Sequence, residues 1–181
     1  FLYHSPILDY PGMNCEGKLT RIVTLKTTPR FAYPGGMAYF TKLNFPFKLS
    51  LNFSFPTKSK VKSFFDFKEF FLQDSISAKA KVQKEEVIEV QDRLARGDRC
   101  LHMTFTLMID GVNEEQLEER IRSICHIFHN NLECEVITEK DIGLGLILNT
   151  LPLNYSPDSD YSAERFVRVL RSDAQKLIPI F

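Results

Sequence analysis

Hydrophobic and polar positions alternate most cleanly over residues 47–55, where Phe47, Leu49, Leu51, Phe53 and Phe55 share one side and Lys48, Ser50, Asn52 and Ser54 the other. A period of two with one apolar side predicts a half-buried strand with one wet face. Such a strand belongs in an antiparallel sheet, because strands covered on both faces read as continuous apolar runs. The alternation returns over residues 100–109, with Leu101, Met103, Phe105, Leu107 and Ile109 opposite His102, Thr104 and Thr106. Residues 19–26 are β-rich and end at Thr27, Thr28 and Pro29, and residues 133–138 predict a short closing strand.

Helical spacing fills the gaps. Met37, Phe40 and Leu43 follow Pro34-Gly35-Gly36 at intervals of three. From 57 to 96 there is no Pro or Gly, and Val61, Phe64, Phe65, Phe67, Phe70, Phe71 and Leu72 are followed by a narrower stripe of Val87, Val90 and Leu94. A polar stretch between them offers Asp74 and Ser75 as N-caps, so the pattern predicts an elongated arm of one helix, or of two meeting near 73–77. Asn113 caps a helix carrying Glu114 and Glu115 in its first turn, with Leu117, Ile121, Ile124, Phe128 and Leu132 as its apolar stripe. Residues 141–151 predict a helix whose two glycines permit close packing. A last amphipathic helix starts at Ser162, with Phe166, Val169, Leu170 and Leu177 on one side and Arg165, Arg168 and Arg171 on the other.

Strand-helix-strand, a long helical insert, and strand-helix-strand again is the split βαβ order of ferredoxin-like α+β domains. The expected organisation is a single domain: an extended lead-in over 1–17, a first βαβ unit over 18–56, the helical arm over 57–97, a second βαβ unit over 98–140, and C-terminal helices over 141–181. Its length of 181 residues suits one domain with an ordinary core.

Charge removes some partners from consideration. Lys and Arg together equal Asp and Glu at 23 each, so no net field draws the chain to nucleic acid or an anionic membrane. The apolar run over 142–155 is too short and too interrupted to span a bilayer. The chain begins at Phe1 without a signal-peptide pattern and reads as a fragment of a longer protein. The four cysteines, Cys15, Cys100, Cys125 and Cys134, lie far apart and read as reduced thiols.

Candidate chemistry is thin. Gly143 and Gly145 lack the third glycine of a dinucleotide fingerprint and the Lys-Ser/Thr of a phosphate loop. Cys125 and His129, with His126 and Cys134 nearby, have a helical ligand spacing but no Cys-x-x-Cys pair, so a helix-terminal role for His129 is the better reading. His102 beside Thr104 and Thr106 reads as the polar face of a strand rather than a base beside a nucleophile. Gly97-Asp98 reads as a helix C-cap and turn. The Phe64–Phe71 cluster is core or, if the arm projects, a partner surface. The Arg165, Arg168 and Arg171 strip is a solvated face or a phosphate contact. No catalytic, cofactor-binding or metal residue is therefore assigned, and this stretch is not expected to be an enzyme by itself.

Several stretches carry a family likeness: "LTRIVTLKTTP", "FPFKLSLNFSF", the arm ending "RLARGD", "HMTFTLMIDG" leading to "NEEQLEERIRSI", "LNTLPLN", and "SAERFVRVLRSDAQKLIPIF". Together they resemble the region preceding the nucleotide-binding domain in VirB/TraC-family ATPases of conjugative transfer and type IV secretion. The resemblance implies a non-catalytic docking and oligomerisation domain of a hexameric motor, cytoplasmic and peripheral at the bacterial inner membrane. It further implies inner-membrane channel subunits and neighbouring protomers as partners, and ATP with Mg only in a catalytic domain beyond Phe181. The competing reading is a stand-alone ferredoxin-like enzyme or ligand-binding domain.

Overall fold

A computed structural model describes residues 7–9, 12–15, 18–29, 36–73, 77–140, 142–151, 154–158 and 164–178. Among the described residues the fold is α+β, built on one antiparallel sheet of seven strands. In chain order the strands are β1 (Ile7–Asp9), β2 (Gly12–Cys15), β3 (Lys18–Leu25), β4 (Phe47–Ser54), β5 (Cys100–Gly111), β6 (Val136–Glu139) and β7 (Val167–Leu170). A 3-10 helix spans Gly36–Lys42, and the α-helices are α1 (Lys58–Gln73), α2 (Ala78–Ala95), α3 (Glu114–Asn131), α4 (Gly143–Thr150) and α5 (Arg171–Leu177).

β5 is the longest strand and the centre of the sheet. It pairs with β4 along one edge and with β3 along the other, while β6 pairs with the far edge of β3. The two strand-helix-strand units are thus interleaved, each having a strand of the other between its own two. Three further strands extend this arrangement. The stretch expected as a lead-in contributes the β1–β2 hairpin, which pairs with the first residues of β3. β7 pairs with Cys100 to Met103 of β5, beyond the end of β3.

The last of these corrects the sequence reading. An amphipathic helix was expected from Ser162, which lies outside the described residues, but Val167, Val169 and Leu170 belong to a strand, and among the described residues of that segment only Arg171–Leu177 are helical. Val167 and Val169 alternate, and β-branched residues fit a pleated edge better than a helix turn. The open edge of β5 decides the matter, since its backbone groups need a partner.

The core lies on the face of the sheet that carries Val23, Leu25, Met103, Phe105, Leu107 and Ile109. Leu117, Ile121, Ile124 and Phe128 of α3 cover it, and Phe40 of the 3-10 helix meets Phe128 edge-on at 5.3 Å. Burying a side chain of this size contributes about 1.5–3 kcal/mol. Asn113 caps α3 as expected, accepting from the Gln116 amide at 2.9 Å. Arg21, itself buried, pairs with Glu114 and Glu118 and so ties the start of α3 to β3.

The opposite face is polar and largely covered, with Lys48 still exposed on it. Thr20, Thr24, His102, Thr104 and Thr106 are buried there, and Ser50, Asn52 and Ser54 are half-buried. α4 supplies Leu146 and Ile147 against Ile22, forming a second, small core. Glycine does not mediate that packing at position 145, where an added Cβ meets nothing within 4 Å.

The arm is two helices. Ser77, rather than Asp74 or Ser75 (both outside the described residues), caps α2 by accepting from the Ala80 amide at 3.1 Å. α1 and α2 fold back on each other through Phe65, Val87, Val61, Val90, Leu72 and Leu94. Such an αα-hairpin buries one stripe per helix and leaves the other sides free.

Candidate functional site

The base of the hairpin is tied to the end of the chain. α2 closes with Gly97 at φ +99°, the Gly97 amide donating to Leu94 O at 3.1 Å and the Asp98 amide to Arg93 O at 3.1 Å. These two bonds form a glycine-terminated helix end in which a left-handed residue satisfies the last carbonyls. Asp98 is thereby aimed at α5, where its carboxylate accepts from Ser172 Oγ at 2.6 Å. Arg93 Nη2 donates to Ser172 Oγ at 2.6 Å and stands 2.9 Å from Asp173. Lys176 completes the cluster at 2.9 Å from Asp173.

Burial pushes the Asp98 carboxyl up, but the Ser172 hydroxyl, the backbone N–H groups of Arg99 and Ser172 and the Arg93 charge together bring it below its ordinary value. Gly97-Asp98 is the corner that the sequence suggested. It is also the junction between the hairpin and α5, which periodicity could not disclose because the partners lie more than 70 residues apart.

Farther along the hairpin, three phenylalanines face outward. Phe67, Phe70 and Phe71 are 64%, 68% and 63% exposed, while Phe65 of the same helix is buried. Phe67 and Phe71 lie one turn apart with ring centroids at 4.5 Å, and Phe70 meets Phe71 edge-on at 5.9 Å. The cluster therefore divides between the two readings: Phe65, with Phe64 half-buried beside it, is core, and the other three form an apolar surface. Phe64 lies under the Arg168 guanidinium, 3.7 Å from its ring centroid.

The covered polar face holds the remaining candidates. His102 stacks on Phe166 with ring centroids 4.4 Å apart, and Arg168 faces the same ring at 5.1 Å. Burial, then the charges of Arg168 and Lys60, lower the His102 pKa to about 4. Its imidazole is neutral near pH 7 and engaged in a stack, an arrangement that serves packing. Glu139, almost fully buried, accepts from Thr24 and from Arg165 Nε at 2.5 Å. The three arginines are thus not one strip: Arg165 holds Glu139, Arg168 lies over Phe64 and Phe166, and Arg171 starts α5 at 3.9 Å from Asp98.

The family model for the TraC protein matches residues 17–155. The chain belongs to the TraC family. Membership ties it to type IV secretion and conjugative transfer. Among curated proteins, none matches the chain.

The matched part of this TraC-family chain runs from β3 through α4. β7 and α5 follow it, yet Val167, Val169, Ala174 and Leu177 complete the same core. No described helix is long and apolar enough to cross a membrane. The other sequence candidates stay apart in the TraC-family fold: Cys125 is half-buried, His126 and His129 are exposed, and Cys134 is buried against Phe128 O. Burial pushes the Cys134 thiol up to about 12, so it is inert at neutral pH. Among the described residues no group of three His, Cys, Asp or Glu side chains is placed to hold a metal ion.

Proposed function

We propose that this TraC-family chain is a non-catalytic docking and oligomerisation domain of a type IV secretion or conjugative-transfer ATPase, linking the motor to inner-membrane subunits of the channel. The observation that supports this reading is the exposed Phe67, Phe70 and Phe71 surface on a helical hairpin whose base is bonded to the rest of the domain. Contiguous exposed aromatics on a soluble domain mark protein contacts, and aromatic anchors carry a large share of interface energy. A hairpin held at its base can present that surface at a fixed angle.

Co-purification of the chain with candidate inner-membrane subunits tests the proposal. The triple substitution Phe67→Ser, Phe70→Ser, Phe71→Ser abolishes capture while leaving the fold intact. Retained capture by the triple variant, or ATP hydrolysis by the 181-residue chain alone, overturns the assignment.

A further inference from the structure

β4 forms the outer edge of the sheet, and its register with β5 runs unbroken from Phe47↔Ile109 to Ser54↔His102. Its eight residues exceed the usual strand length of about 5–6. Along its other edge no described strand pairs with it, and among the described residues no backbone-to-backbone hydrogen bond joins β4 to anything outside the β4–β5 ladder. Alternate N–H and C=O groups of an edge strand point away from the sheet and are a template for another strand. Natural edges are ordinarily guarded by prolines, bulges, charges or shortness. β4 has no Pro, no Gly and no bulge, and Lys48 is its single charge. Phe47, Leu49, Leu51 and Phe53 each keep part of their surface in solvent at this edge.

We propose that the β4 edge pairs with the β4 edge of a second copy of this chain, antiparallel and in a register centred on Ser50. That register is self-complementary. Phe47 of each copy faces Phe53 of the other and Leu49 faces Leu51, so apolar residues meet on the core side. On the polar side Lys48 faces Asn52, and Ser50 lies on the two-fold axis opposite itself. No like charges oppose each other, and aromatic and aliphatic cross-strand pairs favour association. An isologous two-fold contact is also the commonest route to a closed assembly. A two-residue shift in either direction keeps the faces but carries Phe47 or Phe53 past the end of the partner's β4, opposite Phe55 or Phe45, which lie outside the ladder. The inference deepens the oligomerisation half of the proposed function and does not depend on the phenylalanine surface of the hairpin.

Sedimentation of the 181-residue chain across micromolar to hundred-micromolar concentrations, with engineered cysteines as reporters, tests it. The expected result is a concentration-dependent dimer. Ser50→Lys sets two ammonium groups against each other on the axis and weakens the dimer several-fold, with an unchanged circular dichroism spectrum. Ser50→Cys chains cross-link to one another under mild oxidation, since directly opposed Cβ atoms lie about 4.5–5.5 Å apart or closer. Lys48→Cys chains do not cross-link alone but do so when mixed with Asn52→Cys chains, and the unsubstituted chain controls for the native thiols. A monomer at every concentration, or a dimer that ignores Ser50→Lys and forms no Ser50→Cys cross-link, overturns the proposal; the first outcome would leave the edge to a strand of another protein. The Phe67, Phe70, Phe71 triple variant still dimerises, so failure here and failure of the docking surface are told apart.

Discussion

Arg93, near the end of the second arm helix, lies 2.9 Å from Asp173 on the C-terminal helix and donates to Ser172 Oγ at 2.6 Å. The arm and the last helix are therefore joined by direct polar contacts at the corner made by Gly97 and Asp98. Arg93 is about a third exposed and Asp173 about a quarter, so solvent screens part of their attraction. Arg93→Ala is expected to cost about 1–2 kcal/mol in urea denaturation. Its signature is shared loss of hydrogen-exchange protection in α5 and the base of α2, with β5 unchanged. Arg93→Lys recovers the charge but not the forked donor geometry, and so restores only part of the protection.

Acid should destabilise the domain in two separate windows. His102 titrates at about 4 in the folded chain, against about 6.5 when unfolded. Its neutral form is the native one, so the associated stability is full above 6.5 and is lost as pH falls toward 4, the loss reaching on the order of 3 kcal/mol. Asp98, whose carboxyl is lowered, contributes stability that is retained through this range and lost only below its unfolded value near 3.8. Urea midpoints at pH 7 and pH 4.5 check the first window. His102→Gln should flatten the difference between them; an equal drop in the variant would show that another group is responsible.

The phenylalanines of the arm should separate sharply by position. Phe65→Ala removes a ring buried against Val87 and Cys100 and should cost about 3 kcal/mol or more. Phe67→Ser, Phe70→Ser and Phe71→Ser act on exposed rings and should each change stability by no more than about 0.5 kcal/mol. Thermal denaturation distinguishes the two classes, and improved solubility of the exposed set accompanies a smaller apolar patch.

Glycine substitutions give a third contrast. An added Cβ at Gly111 would lie 2.9 Å from Leu117 Cβ, where α3 turns back over the end of β5. Gly111→Ala should therefore cost about 1–3 kcal/mol through forced movement of α3. Gly145 sits in α4 with open space around its missing side chain, and Gly145→Ala should stabilise by about 0.5–1 kcal/mol. Denaturant midpoints of opposite sign are the expected observation.

Much of this architecture was legible in the chain because it depends on local repetition. The alternation of Phe47, Leu49, Leu51 and Phe53 predicts β4, and Asn113 with Glu114 and Glu115 predicts the start of α3 at the observed residue. Ser162 onward misled because Arg165, Arg168 and Arg171 fall at helical intervals, while the choice between helix and strand rested with the vacant edge of β5. The wet face read from Ser50, Asn52 and Ser54 was half wrong for a similar reason. Polarity reports what a side chain tolerates, and α4 covers part of that face all the same.

The amino-acid sequence alone determined the α+β class, the antiparallel character of the sheet, the amphipathic α3 and the helix-ending Gly97, since each follows from periodicity or from one residue's backbone preference. Only the tertiary structure decided which phenylalanines are core and which are surface, that Asp98 meets Ser172, and that β4 stands at an edge. These are relations between segments distant along the chain, and the order in which strands pair is set by the burial and backbone bonding of the whole sheet rather than by any stretch of residues within it.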